Sequence, residues 1–434
     1  MIGLIGGLAL LIVLTIRGMN LFVATPLCAL VVALSSGLPL LPPLAPEGST
    51  DLVSGYMQGF TGFIAAWFFM FLLGSIFGKL MEATGAADSL SHAITRRLGM
   101  QRAALAIVVA CAVLTYGGVS LFVVAFSVYP MALALFREAD LPRRFIPATM
   151  AFGSVTFTMT SAGSPEIQNW IPIPYLGTTH LAGWEASAIT ALFMAVLGYA
   201  WLRWMLARAH ARGERFEERA NDPLEFSGHL PHPLLAALPL VVVLAIAFAF
   251  HDSLKTSALI LALLGGCVAA ALLRARQWLA LGGALSDGSV GALVAIGNTA
   301  AVVGFGAVAR LAPAFQVAVD TVTQLPGNGL VSAAIAVSLI AAMTGSASGG
   351  QAIALPLLAP HYLGQGVNPE QLHRVVAISS GVLDSLPHNG YVVTTIRAIC
   401  GETHRAAYPA MGALTVVVPL AGLVLCIALF ALGL

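Results

Sequence analysis

Thr160-Ser-Ala-Gly-Ser-Pro-Glu-Ile-Gln-Asn169 sets a proline, a carboxylate and two amides inside sequence otherwise apolar enough to be buried in a bilayer. A regular helix cannot run through it, because proline lacks an N–H and frees a carbonyl one turn back. Working outward, three more interruptions appear: Thr115-Tyr-Gly-Gly-Val-Ser120 before it, then Thr344-Gly-Ser-Ala-Ser-Gly-Gly350 and Asp384-Ser-Leu-Pro-His-Asn-Gly390. They form two matched pairs, each a glycine–hydroxyl stretch followed by a proline-broken one. Broken backbone at membrane depth is tolerated only where it is buried in protein or lines a wet cavity. Paired interruptions in corresponding positions of two halves point to the binding site of a secondary transporter.

Composition agrees. The chain has 434 residues, 59% hydrophobic and only 9% charged, with a mean hydropathy of +0.91. A soluble domain carries about 25% charged residues, so the expectation is an all-α polytopic membrane protein. Its apolar runs are helix-length and lack the alternation of a membrane β-barrel. Net charge is +1, which argues against a nucleic-acid partner. Cys28, Cys111, Cys267, Cys400 and Cys426 have no paired spacing and read as buried small hydrophobes, not a disulfide or metal set. Met1 to Ile16 lacks a basic leader and reads as a retained first span. Enzyme signatures are missing: Gly345-Ser-Ala-Ser-Gly349 has alanine where a nucleophile elbow needs serine, and there is no HExxH or Walker loop. No enzyme, cofactor or metal is expected.

With about 20 apolar residues per span, the first half reads as spans near 2–16, 20–41 and 60–82, a hairpin at 103–136, an interrupted span at 146–172 and a span at 185–206. The second half reads as 233–250, 255–273, 287–310, a hairpin at 329–363, an interrupted span at 371–396 and a span at 407–433. Leu73-Gly-Ser-Ile-Phe-Gly78 and Val303-Gly-Phe-Gly306 match in place. Each half thus has an odd number of full spans, five, plus a re-entrant hairpin, so the two repeats should be inverted in topology. With both termini outside, only Lys255, Arg310 and Arg374 of the 20 Lys and Arg face outward, as the positive-inside rule asks. The hairpin tips then point at each other. The expected units are a first repeat at 1–208, a solvated cytoplasmic linker at 209–232 and a second repeat at 233–434. A mobile transport domain should comprise about 60–170 and 287–397, with the other spans as scaffold; 85–102 reads as an amphipathic connector along the inner surface.

The tip residues Tyr116, Gly117, Gly118, Val119 and Ser120, and Thr344, Gly345, Ser346, Ser348, Gly349 and Gly350, open helix ends whose N–H groups and hydroxyls suit an anion. The breaks add Thr160, Ser161, Gly163, Ser164, Gln168, Asn169, Ser385 and Asn389 as substrate contacts. Glu166 and Asp384 are the acidic residues deep in apolar sequence. An ionisable group there is costly and is read as functional; with His388 they are the candidate proton carriers. A buried Asp384–His388 pair is the structural alternative. No Lys or Arg lies in the four motifs, which favours a small monocarboxylate over di- or tricarboxylates.

These stretches, with Thr115 to Phe126, Leu133-Ala-Leu-Phe-Arg-Glu-Ala-Asp-Leu-Pro-Arg-Arg144, Thr156 to Asn169, Met343 to Gly350 and Gly381 to Gly390, resemble the gluconate permease (GntP) family of the ion transporter superfamily. The resemblance spans essentially the whole chain. It implies proton-driven uptake of gluconate, 3-hydroxybutyrate or a similar hydroxy acid across a bacterial inner membrane, by a homodimer working as an elevator. Sodium-using carriers of the superfamily carry Ser-Asn-Thr tips; the departure here disfavours sodium. A sodium-coupled or citrate-type symporter of the same architecture is the alternative.

Overall fold

A computed structural model describes residues 2–46, 48–99, 102–116, 119–219, 222, 229–254, 256–274, 281–323 and 328–434, and these are helix and turn without a strand. The chain opens with α1 (Ile2–Ile16) and α2 (Leu21–Ser36), then a long α3 (Leu52–Ala83) and a short α4 (Ala86–Leu98). α5 (Ala103–Tyr116) and α6 (Leu121–Glu138) make a hairpin. α7 (Ile146–Ala151) runs into a π-helical turn at Phe152–Thr156 and unwinds; a 3-10 turn at Ile167–Asn169 and α8 (Ile173–Leu176) precede α9 (Trp184–Ala211). The same order follows once more. α10 (Pro233–Leu254), α11 (Thr256–Leu272), a long α12 (Gly282–Leu311) and a short α13 (Pro313–Thr323) lead to a hairpin of α14 (Gly329–Thr344) and α15 (Ala347–Gly364). α16 (Pro369–Ser380) unwinds, and α17 (Gly390–Val393) enters a π-turn at Thr394–Ile399. The chain ends in α18 (His404–Gly412) and α19 (Val418–Ala431), joined by a third π-turn.

Five helical stretches are long and apolar enough to cross a membrane: α3, α6, α9, α12 and the composite His404–Ala431. Large apolar side chains such as Leu192 and Val196 of α9 and Leu234 and Val241 of α10 face outward. Apolar exposure on this scale marks a surface solvated by lipid. The protein is a multi-pass membrane protein.

Two elements show where the structure departs from the sequence reading. α3 begins at Leu52 rather than near 60, because the Asp51 carboxylate accepts the Ser54 N–H at 3.0 Å and caps the helix. Polar Ser54 and Gln58 hid that first stretch. α13 was not expected at all. Pro313 sits at its start, where a fixed φ suits a helix's first turn.

α3 and α12 lie along each other, close enough that a Cβ on Gly59 would come within 2.9 Å of the Val303 carbonyl. Around this pair the apolar interior divides into two cores. One joins Leu4, Leu11 and Val32 of α1 and α2 to Val308, Val337, Leu358 and Val376 of α12, α14, α15 and α16. The other joins Val243 and Leu263 of α10 and α11 to Phe77, Val124 and Phe152 of α3, α6 and the first π-turn. Each core draws helices from both parts of the chain.

Among its described residues the linker is largely solvent-exposed, and ion pairs fasten it to the protein. Arg137 pairs with Glu218 (2.6 Å), Arg144 with Glu214 (2.7 Å) and Arg219 with Glu402 (2.7 Å). Buried Arg143 bridges Asp222 (2.5 Å) and Glu402 (3.1 Å). Arg144 holds the Glu214 carboxyl below its ordinary range. Burial alone would raise Asp222, but the Arg143 hydrogen bond and the Arg219 N–H outweigh it and the pKa falls. The linker thus ties the entry of α7 to the turn after the second π-segment.

Candidate functional site

The second break and the second hairpin tip are stitched together. α14 stops at Gly345, whose φ of +62 needs no Cβ. The Ser346 hydroxyl then accepts the Gly349 N–H at 3.1 Å and starts α15, with Ser348 at 3.4 Å and Gly350 N–H on the Ser346 carbonyl. Thr344 donates back to Ile340. Asn389 donates to the Gly345 carbonyl at 2.8 Å while its Oδ1 accepts the Val392 N–H and caps α17. His388 is buried with Nε2 3.1 Å from the Ala342 carbonyl. That carbonyl fixes the proton on Nε2, and Nδ1 is left as an acceptor with no donor. Asp384 is buried and accepts from the Ser385 hydroxyl at 3.0 Å. Residues 381–389 are non-helical, so Asp384 and His388 share no helical face and form no ion pair. From α18, His404 Nε2 donates to the Pro387 carbonyl (3.1 Å) and Tyr408 to the Ser385 carbonyl (3.2 Å).

The first break is held differently. Ser161 donates to Phe157, the Ala162 N–H goes to Ser187, and Gly163 takes a φ of +81 with its N–H on His180. Asn169 donates to the carbonyls of Met159 (3.0 Å) and Ser164 (3.4 Å), and its Oδ1 accepts from Arg374 at 2.7 Å. Both Asn169 side-chain atoms are therefore spent within the protein. Arg374 also donates to the Thr160 carbonyl at 2.5 Å. Glu166 is half-buried with Oε1 lacking any partner, and Gln168 Oε1 lacks one too.

All four motifs meet. A Cβ on Gly381 would touch Met159 and Thr160 at 3.1 and 3.2 Å, so one break lies on the other. Gln351 of α15 donates to the Gln168 carbonyl (3.1 Å) and to Ser380 (3.2 Å), tying hairpin to break; its Oε1 has no donor. At the first tip Val119 N–H closes onto Leu114, and Ser120 is buried at the head of α6 without capping it. Gly117 and Gly118 lie outside the described residues. Tyr116 and Ser161 share a wall of a cavity of about 390 Å³ with Ala162, Leu181, Trp184 and Ser187. Phe122 of α6 meets Tyr391 at 5.7 Å, and Tyr391 bonds Ser154.

Four buried acceptors without donors belong to the two breaks and the second hairpin: Glu166 Oε1, Gln168 Oε1, Gln351 Oε1 and His388 Nδ1. Leaving one such atom unsatisfied costs about 1–3 kcal/mol. The arrangement is built to receive donors, whether hydroxyl groups, water or a proton. Among the described residues no cluster of three or more His, Cys, Asp or Glu could hold a metal. Sequence reasoning missed Gln351 and Arg374. Gln351 follows directly on Gly349-Gly350, and Arg374 is a lone cation in an apolar run ahead of Asp384, which are the signals that could have found them.

Residues 1–281 match the family described as GntP family permease. The chain is 35% identical over 455 residues to an uncharacterized transporter, YxjC, of Bacillus subtilis (strain 168), covering 94% of each. It is 28% identical over 149 residues to a high-affinity gluconate transporter of Escherichia coli (strain K12), a match covering 33% of this chain and 31% of that one. Among solved structures the Alcanivorax borkumensis YdaH transporter aligns over 95% of this chain and 98% of that one, at a TM-score of 0.44 and 15% identity, a likeness too loose to add to the fold described above.

Proposed function

We propose, from the premise that the chain belongs to the GntP permease family of transporters, that it is a proton-coupled secondary transporter importing a small sugar acid or hydroxy monocarboxylate. The observation that carries this reading is the set of buried acceptors without donors in the two breaks and the second hairpin. Substrate hydroxyls donate to Gln168 and Gln351. Ser120, Ser346 and the Ala347 and Ser348 N–H groups that open α15 face the carboxylate. Asp384, Glu166 or His388 carries the coupling proton. The likeness to the Escherichia coli gluconate transporter supports a sugar acid over an unrelated anion.

The recurring helix order and the two cores built from both parts of the chain support an inverted repeat. In this reading the hairpins and broken helices move as an elevator against a scaffold, and outward apolar faces of that scaffold pair two copies. The end that gathers Arg137, Arg143, Arg144, Arg215 and Arg219 faces the cytoplasm of a bacterial inner membrane, with both chain termini outside.

Counterflow in proteoliposomes loaded with gluconate, screened against labelled hydroxy acids at two pH values without sodium, tests the reading. Saturable, sodium-independent exchange that drives accumulation under a pH gradient is the expected result. Activity restored only by sodium or by citrate overturns it in favour of a sodium-coupled or citrate-type carrier.

A further inference from the structure

Two arginines are buried among the described residues, and they are treated in opposite ways. Arg143 is neutralised by two carboxylates, Asp222 and Glu402. Arg374 is fully buried, and no carboxylate among the described residues lies within ion-pair distance of it. Its donors reach neutral oxygens only. Nε donates to the Ala182 carbonyl at 3.0 Å; Nη1 donates to the Thr160 carbonyl at 2.5 Å and Asn169 Oδ1 at 2.7 Å; Nη2 donates to the carbonyls of Ala182 at 2.9 Å and His180 at 3.3 Å. The hydrogen-bonding capacity of the guanidinium is filled, but its charge is not. A buried charge without a counter-charge costs several kcal/mol, so this cation calls for an anion that none of the described carboxylates provides.

The place where that anion would sit is set by the same bonds. Thr160 precedes Ser161, His180 precedes Leu181, and Ala182 lies two residues before Trp184; Ser161, Leu181 and Trp184 line the cavity of about 390 Å³. A Cβ on Gly183 would lie 3.2 Å from the Arg374 Cβ. The guanidinium therefore stands one layer of backbone behind the cavity wall. Across a low-dielectric wall a unit charge acts with little screening over such a distance.

We infer that Arg374 is the fixed positive charge that selects an anionic substrate in this cavity, acting across the wall through its field rather than by contact. It is a positioning residue in the sense that it holds the first break in shape and sets that break's potential together. A single such charge suits one carboxylate. The inference rests on the transport reading above and adds the residue that sets its preference for anions.

The test compares gluconate with its uncharged amide in proteoliposome counterflow, for the unaltered protein and for R374K, R374Q and N169D. R374K keeps the charge but loses the fork, R374Q loses the charge, and N169D keeps the arginine but sets a carboxylate on Nη1. The unaltered protein is expected to favour the acid. R374K should keep that preference even if its overall rate falls, while R374Q and N169D should lower the acid-to-amide affinity ratio about tenfold or more. If R374Q does not fold, N169D carries the test alone. A purely structural brace would lower acid and amide together and leave the ratio unchanged, which overturns the assignment. An unaltered protein that does not favour the acid sinks both this assignment and the transport reading. One that favours it, with variants that favour it equally, sinks this assignment alone.

Discussion

The two broken helices answer the same physical problem with different chemistry. Between Phe157 and Asn169 the Thr160 carbonyl is taken by a charged side chain from the other part of the chain, Arg374, which also holds the Asn169 amide that gathers the Met159 and Ser164 carbonyls. Between Gly381 and Asn389 the freed carbonyls are gathered by neutral donors, the His404 ring and the Tyr408 hydroxyl, while Asn389 hooks onto the hairpin tip. The carboxylates follow suit. Glu166 is half-buried in a loop that already answers to a cation, and Asp384 is buried with a single hydroxyl donor, Ser385. The difference teaches that like-shaped interruptions need not share a task. A permanent charge beside one break suits holding an anion, and a titratable group among neutral partners at the other suits loading and releasing a proton.

The sharpest way to break that comparison is to neutralise each carboxylate in turn. Asp384→Asn is expected to cut proton-driven accumulation about 100-fold while substrate counterflow persists, since a positioned proton carrier contributes on that order. Glu166→Gln should keep most of the accumulation. Equal losses in both would erase the proposed division of labour. The next effect lies where the two regions are joined. Gln351→Leu removes the donor to the Gln168 carbonyl and Ser380, at about 1–3 kcal/mol, and should weaken exchange roughly tenfold with a lower unfolding temperature in detergent. An unchanged melting curve would mean that water fills the gap.

Asn389→Ala should cost about 1 kcal/mol through the lost cap of α17. The same change should be felt at the second tip by cysteine-labelling at Ser348, and no change there would show tip and break to be uncoupled. The smallest effect concerns the linker that ties the two breaks at one end. Glu214 and Asp222 have pKa values lowered in the folded chain, so the stability they contribute is present above the ordinary carboxylate range and is lost as pH falls through their lower folded values. Glu214 is partly exposed, so its pair with Arg144 is worth less than about 1 kcal/mol. Thermal unfolding across that acid range should show a slightly shallower pH slope for Glu214→Gln.

Most of the architecture could be read from residue type alone, because glycine and proline punctuate apolar runs wherever helices must stop. The hairpins at Tyr116 and Gly345 and both breaks announced themselves in that way. Asn169 illustrates the limit. Its amide beside a proline reads as a ligand for substrate, yet packing spends it on Met159, Ser164 and Arg374. Arg374 stands out in the sequence as a lone cation, but its role was illegible for the converse reason: that role comes from carbonyls near 160 and 182, which only tertiary packing brings within reach. The direct pairing of Arg143 with Glu402 beside the linker, 259 positions apart, is equally invisible to local pattern.

The sharing of helices between the two apolar cores has a consequence for how the chain is made. Leu11 and Val32 are threaded into the bilayer long before Val308 and Val337, members of the same core, leave the ribosome. The early helices must wait in lipid with their inner faces uncovered, and synthesis past α12 closes them. A chain released early, after α9, would be inserted but unfinished, and would be a target for membrane quality control rather than half of a working protein.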